Sequence, residues 1–194
     1  MNYKLTLRPA TSADAEFVAK VVIMALHMEK DGEEGEELLR HITELVRDEG
    51  TLYHWSRAVV ADGIGAIVAY DGADYHERRL RSFSFVCSDG KPIMEDVSGL
   101  LAQPDETCQG EYYLDSLAIM PEHRGKGYGS AFLLYAVETG RKRGLNPALL
   151  VDPANTGALK LYKSLGFDGT DTIFVFGLDF IKMYAGVMKM KNVE

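Results

Sequence analysis

The stretch Leu117-Ala118-Ile119-Met120-Pro121-Glu122-His123-Arg124-Gly125-Lys126-Gly127-Tyr128-Gly129-Ser130 constrains the fold more than any other part of the chain. An apolar run ends, a proline turns the backbone, and three alternate glycines open a helix expected from about Gly127 to Arg143. Glycine removes side chains from the path of the backbone, so successive N–H groups can converge on an anion. The helix N-terminus adds about half a positive charge. The segment therefore predicts a phosphate cradle, with a tight helix-entry turn as the plainer alternative. Gly125-x-Gly127-x-Gly129 lacks the G-x-G-x-x-G spacing of dinucleotide folds, and no G-x-x-x-x-G-K-[ST] occurs anywhere in the chain.

The flanking sequence predicts one α/β domain over 1–194 with a mixed sheet. Leu5-Thr6-Leu7-Arg8 alternates like an opening strand and stops at Pro9. Thr11 and Asp14 make a capping box before the helical spacing of Phe17, Val18, Val21, Val22, Ala25 and Met28. A second helix is marked by Leu38, Leu39, Ile42, Leu45 and Val46. Runs 57–61 and 64–70 flank the turn Asp62-Gly63 as a hairpin. Residues 71 to 110, broken by Pro92 and Pro104, read as an insertion in which only Glu77 to Val86 suits a short helix. Beyond the insertion come strands at 112–120 and 148–151, a helix at 155–165 closed by Gly166, and strand-like runs at 172–178 and 184–190.

Composition narrows the function. The net charge of −8 opposes a phosphate-backbone binder, so no nucleic-acid partner is expected. No apolar run approaches the roughly 18 residues of a membrane span, so no membrane is expected either. Residues 29–49 hold nine carboxylates against three Lys and Arg, which reads first as a solvated helix face. The N-terminus carries no signal-like segment, and Cys87 and Cys108 fit neither a disulfide framework nor a metal pair. A cytoplasmic location follows as the expectation. The five histidines lack metal-ligand spacing and are expected to be structural or solvated, so no metal is expected.

A second motif strengthens the cradle. Asn155-Thr156-Gly157-Ala158-Leu159-Lys160-Leu161-Tyr162 starts with a good N-cap residue and places Ala158 and Tyr162 on one helix face. Arg124-x-x-Gly127-x-Gly129 resembles the pyrophosphate motif of the GCN5-related N-acetyltransferases, and Asn155-x-x-Ala158-x-x-Leu161-Tyr162 with Gly166-Phe167 resembles that family's second cofactor motif. Leu7-Arg8-Pro9-Ala10-Thr11 with Asp14 resembles its first strand and helix. The match is strong over 112–167, weak over 4–70 and absent over 71–110.

The resemblance implies a splayed central sheet flanked by helices, with acetyl-CoA entering as a wedge. It assigns the backbone of Leu117, Ala118 and Ile119 to pantetheine, and Arg124, Gly125, Lys126, Gly127, Tyr128, Gly129 and Ser130 to pyrophosphate. It assigns Asn155 to the pantetheine arm, Ala158 to the cofactor site and Tyr162 to the thioester sulfur. A phenol of pKa about 10 suits a thiolate leaving group of pKa about 8.5 as proton donor. The implied reaction is transfer of acetyl from acetyl-CoA to a primary amine of a small molecule or peptide, by direct attack in a ternary complex. Deprotonating an amine of pKa about 10.4 at pH 7 costs about 4.6 kcal/mol, which calls for a base.

Strand alternation puts Glu111, Tyr113, Asp115 and Leu117 on one face, and Asp115 is the candidate base. The glutamate of several relatives falls here at Leu150, so a water relay is the alternative route. Asp115 as a mere organiser of the strand or the acceptor is the plainer reading. A noncatalytic acyl-CoA sensor is the competing function. The aromatic content of 71–110 predicts that it packs over the acceptor side, against a peripheral excursion or a homodimer contact. Trp55, beside Tyr53 and His54, lines that pocket or caps the hairpin.

Overall fold

The computed structural model describes residues 5–186. Among these, seven strands form one sheet in the order β1-β2-β3-β4-β5-β7-β6. They are β1 (Arg8–Pro9), β2 (Ala58–Ala61), β3 (Gly65–Asp71), β4 (Glu111–Ile119), β5 (Asn146–Val151), β6 (Phe167–Val175) and β7 (Leu178–Ala185). All neighbours are antiparallel except β4 and β5, which run parallel. Six α-helices are described: α1 (Ala15–Ala25), α2 (Gly32–Arg47), α3 (Tyr75–Phe83), α4 (Ser98–Leu101), α5 (Tyr128–Lys142) and α6 (Thr156–Ser164).

β3 is buried along nearly its whole length, as a strand covered on both faces must be. On one face, Val18, Val21 and Val22 of α1 and Ile42, Leu45 and Val46 of α2 pack on Val60, Val68 and Tyr113. On the other, Phe132, Leu133, Ala136 and Val137 of α5 pack on Ile67, Leu114 and Leu149. Each fully buried side chain of this size contributes about 1.5–3 kcal/mol, so the sheet is held by both layers. The carboxylates at the start of α2 lie on its exposed side.

Several predicted boundaries moved for local reasons. The opening strand contracts to Arg8–Pro9, where Arg8 grips Asp14 through two 2.8 Å hydrogen bonds and also pairs with Asp62. Asp14 in turn accepts from the Thr11 N–H at 2.7 Å, at the predicted helix entry. The run 172–178 contains a turn, because Phe176 (φ 54°) and Gly177 (φ 77°) both take left-handed conformations and reverse the chain between β6 and β7. The last predicted run continues to residue 190, and its part from 187 onward lies outside the described residues. In the insertion the helix is Tyr75–Phe83 rather than 77–86, launched from a turn in which Asp71 accepts from the Ala73 N–H. The turn at 87–91 is tied to α2 through Ser88–Glu44, Asp89–His41 and Lys91–Glu37.

Candidate active site

β4 and β5 pair only at Glu111–Asn146, Tyr112–Pro147 and Tyr113–Ala148. Beyond that point β4 stays on β3, and β5 turns to β7. The sheet thus divides into the halves β1–β4 and β5–β7–β6, and the edge of β4 from Leu114 to Ile119 faces the division. A register shift helps to create it: Val68 pairs with Ser116 but Ala69 with Leu114, leaving Asp115 as the extra residue of a β-bulge. Leu117, Ala118 and Ile119 keep their pairing with Ile67, Ala66 and Gly65 on the β3 side only.

At the end of β4, Ile119, residues 123–125 and 127–130, and Leu161 of α6 line an open cavity of about 320 Å³. Gly125 (φ 73°) and Gly127 (φ 79°) take left-handed conformations that suit glycine alone without cost, and no neighbouring atom would fill the space of a Cβ at either. Gly127 caps α5 without any side-chain hydrogen bond, so the first-turn amides of Tyr128, Gly129 and Ser130 point to the cavity end unsatisfied by a cap. Arg124 donates to the Ile119 carbonyl (3.0 Å) and Lys126 to the Glu122 carbonyl (2.9 Å), which fixes the loop. The two sequence motifs therefore meet at one cavity, with Leu161 next to Gly129.

In α6 the Asn155 carboxamide oxygen accepts from the Ala158 N–H at 3.0 Å and caps the helix. Ala158 and Tyr162 pack against the α5-side core. The Tyr162 ring lies 5.9 Å from that of Phe167, and burial raises its phenol above the ordinary value, so it stays protonated near neutrality.

Asp115 is half-buried on the opposite face of the sheet. It accepts a hydrogen bond from Tyr70 Oη, and another from Ser116 Oγ at 2.8 Å. Burial, and next the charge of Glu106, push its carboxyl up to about 7. Glu106, from the insertion, accepts from Tyr75 Oη and Tyr113 Oη, both at 2.6 Å. Tyr70, Tyr75 and Tyr113 have ring centroids 5.9–6.4 Å apart. Tyr53 is buried in the same core, whereas Trp55 is only partly buried and lies tilted against His54, with ring centroids 4.8 Å apart.

The expected single face of Glu111, Tyr113, Asp115 and Leu117 is corrected here. Tyr113 packs on the α1 side, but Leu117 packs on the α5 side, because the bulge at Asp115 reverses the alternation. Sequence analysis names Asp115 and Tyr53 without joining them, and it leaves out Glu106 and Tyr70. Tyr113, two residues before Asp115, was the available signal. Glu106 had none, since its surroundings lack periodicity.

Known proteins share this fold and part of this sequence. Residues 67–167 match the family described as "Acetyltransferase (GNAT) family". The chain is 36% identical over 104 residues to a mycothiol acetyltransferase of Renibacterium salmoninarum, covering 41% of this chain and 30% of that protein. It is 30% identical over 98 residues to a streptothricin acetyltransferase of Streptomyces lavendulae, covering 50% of this chain and 49% of that one. The chain spans less than half the length of the curated relatives it matches. An N-acetyltransferase structure from Staphylococcus aureus Mu50 superposes with a TM-score of 0.75 at 22% identity, over 92% of this chain and 99% of that one, which establishes the fold. The matched segment takes in β4 and β5, where the sheet divides, the glycine loop and the Tyr162 helix, and on that ground the chain belongs to the GNAT acetyltransferase family.

Proposed function

We propose that the protein is an acetyl-CoA-dependent N-acetyltransferase acting on a primary amine. The observation that carries this reading is the convergence of the uncapped α5 N-terminus and the Tyr162 helix on one cavity beside the divided β4 edge. The pyrophosphate fits the amides of residues 128–130, the pantetheine arm fits the open edge of Leu117 to Ile119 and the Asn155 amide, and the acetyl group then reaches the level of Asp115. The acceptor nitrogen attacks the thioester carbonyl, forming the C–N bond as the C–S bond breaks. Asp115 takes a proton from the attacking amine, and Tyr162 gives one to the departing thiolate. Leu150 offers no second carboxylate on β5, and neither Cys87 nor Cys108 belongs to the Arg124–Ser130 loop or the Asn155–Tyr162 segment, so direct attack in a ternary complex is the route proposed. Two free thiols, one of them exposed, suit a reducing compartment, and the cytoplasm is the location proposed.

Tyr162→Phe deletes one hydroxyl and keeps the ring. Turnover should fall by about 10²-fold or more while acetyl-CoA affinity holds, measured by CoA release and calorimetry. Unchanged turnover would remove Tyr162 from the mechanism. Acetyl-CoA binding with no CoA release to any amine would point to the noncatalytic sensor instead.

A further inference from the structure

The turn at 87–91 shares no residue with the cavity beside the glycine loop, yet it carries a chemical grouping of its own. The Cys87 sulfur, an Asp89 carboxylate oxygen and a ring nitrogen of His41 on α2 lie within 4.8 Å of one another. Backbone bonds hold the turn in shape: the Cys87 N–H donates to the Lys91 carbonyl at 2.8 Å and the Gly90 N–H to the Cys87 carbonyl at 2.9 Å. Asp89 Oδ1 accepts from the Lys91 N–H at 3.1 Å, which leaves Oδ2 for α2, 2.7 Å from His41 Nε2. Phe85 and Ile93, on either side of the turn, pack on the α1–α2 core.

The thiol is the second observation. Cys87 is only 4% exposed, and its sulfur makes no hydrogen bond among the described residues although it stands beside an imidazole and a carboxylate. One sulfur, one nitrogen and one oxygen form a donor set that suits zinc, whereas magnesium and calcium call for oxygen alone. Ligands around a tetrahedral zinc ion stand about 3.3–3.7 Å apart, so side-chain shifts of about 1 Å bring these three to it. Positive charge is already drawn to the spot: Arg40 Nη2 lies 3.0 Å from Asp89 Oδ2 and 3.3 Å from His41 Nε2. The Arg40 side chain is 57% exposed and can turn away into solvent. Glu37, one helical turn before His41, has its Oε1 3.9 Å from His41 Nε2 and stands nearest for the fourth place. We propose that His41, Cys87 and Asp89 bind a zinc ion that clamps the turn at 87–91 onto α2. The thiol proton passes to the buffer as the sulfur–zinc bond forms. No spacing in the sequence announces the site, because 48 residues separate His41 from Asp89.

The test titrates the full chain, free of any affinity tag and dialysed against chelator, with cobalt(II) as a coloured stand-in and then with zinc. Cobalt should bind in a single equivalent with a thiolate-to-metal charge-transfer band in the near ultraviolet, and zinc should displace it. Cys87→Ser should abolish the band and weaken zinc by about 100-fold or more, while Cys108→Ser, which removes the exposed thiol, should change neither. Arg40→Ala should leave zinc affinity equal or raise it, since a competing cation is gone. Excess zinc should raise the melting temperature of the parent, and chelator should reverse the gain. Should Cys87→Ser fail to fold, Asp89→Asn at an exposed position takes its place, with at least about a tenfold loss of zinc affinity expected. A cobalt spectrum without the charge-transfer band, a band that survives Cys87→Ser, or zinc affinity untouched by Asp89→Asn overturns the site. None of these readouts depends on acetyl transfer, so the site and the transferase reading stand or fall separately.

Discussion

Burial, and next the charge of Glu106, lift Asp115 to about 7, and both a rate and a stability consequence follow. Facing it are the hydroxyls of Tyr70 and Ser116, the Glu106 carboxylate, and the phenols of Tyr53, Tyr75 and Tyr113. As a base Asp115 works only after losing its proton, so kcat/KM should rise with pH through a midpoint near 7. Glu106→Gln should move that midpoint to lower pH, because a neighbouring negative charge is gone. An unmoved midpoint in pH–rate profiles would mean that another group titrates. For stability, the folded pKa lies above the unfolded value of about 3.9, so the native state binds more protons between the two. The Asp115 contribution therefore weakens as pH rises from about 4 to about 7. Asp115→Asn should gain in melting temperature relative to the parent across that interval, and a constant difference would contradict the shift.

Among the elements, the helix that opens at Gly127 allows a substitution whose effects on folding and on binding have opposite signs. Gly129 lies in the first turn of α5 with an ordinary φ, and a Cβ added there would come no closer than 3.9 Å to its nearest neighbour, Leu161. Gly129→Asp places a negative charge at a helix N-terminus, which should leave stability equal or raise it by about 0.3–1 kcal/mol. The same charge opposes a bound pyrophosphate, so acetyl-CoA affinity should drop at least about tenfold by calorimetry. Unchanged affinity would move the pyrophosphate away from this turn. The glycine loop, the Asn155 cap and the hairpin around Asp62-Gly63 were legible in the sequence because each depends on backbone chemistry within a few residues. The bulge at Asp115 was not, since one extra residue in β4 shows only against its partner strand. The carboxylate pair escaped for the same reason: Tyr70, Glu106 and Asp115 are brought together by tertiary packing across a segment without periodicity.

Over the whole molecule, the two half-sheets are joined where β4 and β5 still pair, and a buried ion pair lies at that junction. Glu111 of β4 accepts from Lys182 of β7 at 2.7 Å, from Thr107 Oγ1 at 2.8 Å and from Tyr184 Oη at 2.9 Å. Burial opposes its charge, but these partners outweigh burial and hold the carboxyl below its ordinary range. Lys182→Met leaves that carboxylate buried without its cation, which should cost about 3–5 kcal/mol in denaturant unfolding. Adding Glu111→Leu should recover much of the loss, because the pair is then replaced rather than broken. A loss that the double variant does not recover would assign the effect to packing of the lysine stem.

Three residue pairs are a short hinge for a seven-stranded sheet, and the consequence belongs to amide hydrogen exchange. Along the open edge of β4, alternate N–H groups between Leu114 and Ile119 have no strand opposite them, so they should trade hydrogen for deuterium far faster than those facing β3. Acetyl-CoA lying along that edge should slow them to the pace of their neighbours and slow the β5–β7–β6 half with them, since a ligand bound to both halves opposes their separation. Exchange in the bound protein that stays fast on the β4 edge would place the pantetheine elsewhere. On this view the thioester substrate is also, for as long as it stays, the missing strand of the sheet.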